Sequence, residues 1–169
     1  MQHHRNQARA EAAPPPHTTA VIGLGVCDVL RVELQPRQLP SLDEEIQIQR
    51  AVYDQSIAGA AEDGDRDAFD RLRAERRTLT MVAEQIRRPG DSPVIWGPAA
   101  AISDLVTCSA RSAADRLVDA MQRDLLVDGG DGPALIEAAH VAAAWAETYV
   151  ALRAVESFSV DPDNDHVRP

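Results

Sequence analysis

The chain has 169 residues, enough for one domain with room for a tail, and its hydrophobic share of 44% suffices for a core. Aromatics make up only 4%, so aliphatic and alanine side chains must fill that core, and 27 acidic residues against 17 basic ones give a net charge of −10. Every basic residue is arginine, and this balance excludes a broad cationic field for gripping nucleic acid or anionic lipid.

Met1 to Thr19 has no apolar periodicity and contains Pro14, Pro15 and Pro16, so a disordered arm is expected over 1–19. From Ala20 to Leu34 the apolar residues Ile22, Leu24, Val26, Leu30, Val32 and Leu34 share one parity, which is strand periodicity. Gly23-Leu24-Gly25 is superficially a nucleotide-binding start, but Asp28 stands at the third glycine position and would repel a pyrophosphate. Ser41 to Glu44 has the form of a capping box and opens a predicted helix to about Ala61, with Leu42, Ile46, Tyr53, Ile57 and Ala60 on one stripe. Asp63-Gly64-Asp65 reads as a turn. A second helix follows over about Arg66 to Arg88, carrying Phe69, Leu72, Leu79, Val82 and Ile86, and Pro89-Gly90 stops it. The two helices should form an antiparallel hairpin.

Pro93 to Trp96 is a short apolar, strand-like piece. Helical character then runs from Ala99 to about Leu126, although Thr107, Cys108, Ser109 and Ser112 are poor helix formers in its middle. The glycine-rich run Asp128 to Pro133 breaks the chain. A last helix over about Ala134 to Phe158 places Val141, Trp145, Tyr149, Leu152 and Val155 on one side. Asp161 to Pro169 reads as a frayed acidic tail. The expected architecture is therefore a single mainly helical domain over 20–160, with about four amphipathic helices in a bundle and a minor β element at Ala20–Leu34 and Pro93–Trp96.

An alternative reading concerns 77–136. If the weak residues around Cys108 mark a turn, the order of elements becomes that of a winged helix-turn-helix. The stretch Ser112-Ala113-Ala114-Asp115-Arg116-Leu117-Val118 through Leu125-Leu126-Val127 resembles the recognition helix and first wing strand of MarR-like regulators. That resemblance covers about a quarter of the chain and implies that Arg111, Arg116 and Arg123 meet DNA from the major groove. It departs from the family at Thr107 or Cys108, where the turn glycine is common, and at Leu125, where a glycine normally precedes the strand. Between Asp91 and Asp128 stand six aspartates against those three arginines. The plainer reading is one amphipathic helix with Ile102, Val106, Ala113, Leu117 and Met121 facing a bundle.

Glu137 and His140, three apart on one helical face with Glu147 seven residues further, have the Glu-x-x-His spacing of ferritin-like metal bundles. The chain holds no second copy of that element, so a metal centre would need a symmetric partner, and no metal or other cofactor is expected. No histidine partners Cys108, and Ser109 lies in no nucleophile-elbow pattern, so catalysis has no residue to carry it. Ala138, Ala142 and Ala146 form a smooth strip beside Trp145 and Tyr149, which suits a homodimer contact through the last helix. Two cysteines without ligand spacing, no apolar run of membrane-spanning length and no leader-like start point to the cytoplasm, and the alanine and arginine bias to a GC-rich bacterial genome. The function expected is non-catalytic: a helical interaction or regulatory protein that self-associates and binds a protein partner, with DNA-binding regulator as the second reading and metal-binding bundle as the third.

Overall fold

A computed structural model describes residues 21–23, 29–87, 93–126 and 132–159. The protein is mainly α-helical with a small antiparallel sheet. In chain order come β1 (Val21–Gly23), β2 (Val29–Glu33), a 3-10 turn (Pro36–Gln38), α1 (Leu39–Glu62), α2 (Arg66–Ile86), β3 (Val94–Pro98), α3 (Ala99–Leu126) and α4 (Gly132–Ser159). The terminal segments read as arm and tail lie outside the described residues, as do Leu24 to Asp28.

The sheet order is β1-β2-β3, with Val21 opposite Val32 and Val32 opposite Ile95. Alternation along β2 turns Leu30 and Val32 inward, and Ile95 of β3 joins them in the core with Leu34 just beyond the strand. Helices cover this inner face. Leu42 and Ile46 from the start of α1, Leu79, Val82 and Ala83 from the end of α2, Ile102, Leu105 and Val106 from the first half of α3, and Trp145 and Leu152 from α4 complete the core. No described helix is long and apolar enough to cross a membrane.

The turn at 63–65 forms as its residues require. Gly64 has φ 71°, the left-handed region that glycine enters freely, and the Asp65 carboxylate accepts the Ala68 amide at 3.0 Å to cap α2. Away from the core this hairpin stands clear: from Arg50 to Thr78 every residue is exposed or half-buried.

Four expectations need correction. First, α3 is one uninterrupted helix, so the helix-turn-helix with a break at Cys108 is not formed. Buried Ile102, Leu105, Val106 and Ala113 hold the weak central residues in helical geometry by packing, which outweighs a few tenths of a kcal/mol of propensity per residue. Second, Ser41 does not cap α1, because a 3-10 turn precedes it and the helix starts at Leu39. Within that turn the Gln35 amide donates to Gln38 Oε1 at 2.7 Å, and Ser41 Oγ is free to donate to the Gln38 carbonyl at 2.9 Å. Third, the apolar side of the last helix, expected to lie along the α1–α2 hairpin, packs mainly on α3, β1 and the 3-10 turn and meets the hairpin at the start of α1 through Trp145 and Ser41. Fourth, Met121 faces solvent. Steps of four residues precess by about 40° each around a helix of 3.6 residues per turn, so the stripe from Ile102 has rotated off the core by Met121.

Candidate interaction site

α4 is anchored by its polar residues as much as by its apolar ones. Trp145 is fully buried, and its Nε1–H donates to Ser41 Oγ at 2.8 Å. Gln38, also fully buried, donates from Nε2 to Thr148 Oγ1 at 3.0 Å, and that hydroxyl donates in turn to the Ala144 carbonyl at 2.9 Å. Every bond in this chain is satisfied inside the protein, where a satisfied polar network fixes one arrangement over its competitors. The network sets the rotation of α4. Trp145, Thr148 and Leu152 point in, with Val141 and Val155 packed at the edge of the core.

The five residues expected at a dimer contact are therefore divided. Trp145 belongs to the core, and Ala138 and Ala142 are half-buried within the chain. Tyr149 is half-buried, with the Arg153 guanidinium 5.1 Å over its ring and Arg153 Nε donating to its hydroxyl at 3.0 Å. Of the five, Ala146 alone is exposed. The outward face carries instead Ile136, Ala143, Ala146 and Val150, with Val150 66% exposed, Ala139 half-buried at its edge, and His140 and Glu147 exposed among them. Sequence patterning missed this face because α4 carries alanine on both sides, so only the position of the aromatic anchor tells inside from outside.

A second apolar face lies on α3. Glu44 near the start of α1 pairs with Arg116 at 2.6 Å, and Ser41 and Ala113 line one groove. Beyond that level the last two or three turns of α3 run past the start of α1, at about 1.5 Å per residue. On this overhang Val118 and Met121 are half-exposed, while Leu125 and Leu126 are 83% and 85% exposed. Ile136, in the first turns of α4, is exposed as well.

The arginines of the DNA reading do not form a common surface. Arg111 is exposed, Arg116 is neutralised by Glu44, and Arg123 Nε turns back onto the Asp119 carbonyl at 3.3 Å. The metal candidates are likewise separate in role: Glu137 and His140 are exposed, and Glu147 accepts a long 3.4 Å bond from Gln35 Nε2. Among the described residues no group of three or more His, Cys, Asp or Glu side chains is placed to hold a metal ion. Glu137 and Arg116 both line a groove of about 320 Å³, together with Arg37 and Pro40.

Cys108 sits half-buried on the α1-facing side of α3. Burial, helped by the nearby Glu45 and Asp104 carboxylates, pushes its thiol above the usual range, and Arg111 offsets only part of this. A thiol held protonated is a poor nucleophile. Tyr53, between Glu75 and Asp104, is raised by burial first and by those carboxylates second. Family models, characterised proteins and solved structures yield no match to this chain.

Proposed function

We propose that this chain is a non-catalytic helical interaction protein of the cytoplasm that self-associates through the outward face of α4 and binds a protein partner. One observation carries the reading: with Trp145 and Leu152 spent on the core, α4 still leaves Ile136, Ala143, Ala146 and Val150 exposed on one face, beside His140 and Glu147. Exposed apolar side chains gathered on one helix face form a patch that a partner can cover. The small side chains at 139, 143 and 146 let a second helix approach closely, and a two-fold contact needs only one self-complementary patch. The unpaired Cys108 is in keeping with a reducing compartment.

Light scattering at roughly tens of micromolar tests the reading. The wild type is expected as a dimer and Ala143→Glu as a monomer that keeps its helical circular dichroism, because Ala143 is exposed in the single chain. A monomeric wild type refutes self-association.

A further inference from the structure

The outer side of α3 carries a pattern that its core packing does not use. Ala114, Val118, Met121 and Leu125 follow one another at steps of four, three and four residues, the spacing of the apolar a and d positions of a heptad, and all four face solvent. Arg111, one step earlier, ends the apolar run at the upstream side. The flanking e and g positions hold Asp115, Leu117, Gln122 and Asp124, and Asp119 lies just outside them. Arg123, two residues after Met121, takes the f position on the side of the helix away from the seam.

We infer that this seam receives one amphipathic helix of a different protein, with apolar residues in heptad spacing and basic residues beside them. A seam of half-exposed Val118 and Met121 and a protruding Leu125 offers knobs and holes to a single helix laid along it. The charge chooses the occupant. Asp115 and Asp124 at the flanks reward lysine or arginine at the facing positions, whereas a second copy laid on this seam would bring the same aspartates to it and an anionic lipid surface would be repelled by them. The inference rests on the reading of the chain as a protein-binding module, but its surface is α3, whereas the self-association test reads α4, so either can fail alone.

The test is titration of the full chain with three synthetic three-heptad peptides, followed by calorimetry and by the gain of helical circular dichroism. One has leucine at a and d with lysine at e and g, the second has glutamate in place of lysine, and the third scrambles the lysine peptide at equal charge. The lysine peptide is expected to bind one per chain, at least about tenfold tighter than either control. The double variant Val118→Ser/Leu125→Ser should weaken it by at least about tenfold while leaving the far-ultraviolet spectrum of the protein unchanged, since both side chains are solvent-facing. Absence of binding, equal binding of the scrambled or glutamate peptide, or equal binding to the double variant overturns the inference. So does a wild-type dimer that this double variant dissociates, because a second copy would then own the seam.

Discussion

The link between Trp145 and Ser41 joins α4 to the start of α1 across 104 positions of sequence, and removing it gives the sharpest test of the core. The indole ring is fully buried, so Trp145→Ala loses its whole transfer energy and leaves a cavity, a cost of about 3–5 kcal/mol. That is a large share of the roughly 5–15 kcal/mol by which domains of this kind are stable. Trp145→Phe keeps most of the apolar volume and deletes the Nε1–H donor. Ser41 Oγ still donates to the Gln38 carbonyl at 2.9 Å, so it loses an incoming bond and keeps its outgoing one. The loss from the bond itself should be about 0.5–1.5 kcal/mol. A double-mutant cycle of Trp145→Phe with Ser41→Ala isolates it, because the two side chains touch and their effects should fail to add by that amount. Urea denaturation followed by far-ultraviolet circular dichroism supplies the four stabilities. A cost below about 1 kcal/mol for Trp145→Ala, or a cycle that closes at zero, refutes the inward rotation of α4 and with it the assignment of its outer face.

Two further outcomes follow from single atoms. Ser109 is fully buried in α3 with no hydrogen-bond partner for its hydroxyl, so Ser109→Ala should raise stability by about 1 kcal/mol, through better helix propensity and the removal of an unpaired polar atom, and a lower urea midpoint would contradict this. In a Cys27→Ser background the rate of Cys108 alkylation should rise with an inflection above that of a cysteine peptide; because the folded pKa is raised, the neutral thiol favours the fold below the unfolded value, and this contribution is lost as pH climbs through the folded one. An inflection at or below the peptide's would show a thiol that is not buried.

Much of the architecture was legible because its signals are local. Asp63-Gly64-Asp65 had to turn, the parity of Leu30, Val32 and Leu34 had to put a strand face inward, and four-residue spacings of Leu42 and Ile46 had to make a helix face. What was illegible depends on partners far away in sequence. The capping reading of Ser41 failed because that hydroxyl answers to Trp145 and the Gln38 carbonyl. Gln38 gave no local hint of being buried, since its partner Thr148 lies 110 residues on. The doubt about Cys108 and Ser109 could be resolved only by the core that holds α3 straight. The direction of α4 was hidden by alanines on every side, and the heptad on the back of α3 was masked by the stronger inward stripe that begins at Ile102.

Gln85 gives one more consequence. Its side-chain amide lies against the outer edge of β3, with Nε2 donating to the Trp96 carbonyl at 3.0 Å and Oε1 accepting the Trp96 amide at 2.8 Å. A glutamine on a helix here imitates the backbone of a further strand. The hydrogen-bonding groups by which a passing chain would add itself to the sheet at Trp96 are already taken, and α2 stands in the way. Such stoppering leaves growth by strand addition without a foothold on that border, so a chain whose sheet is this small meets its neighbours helix to helix or not at all there.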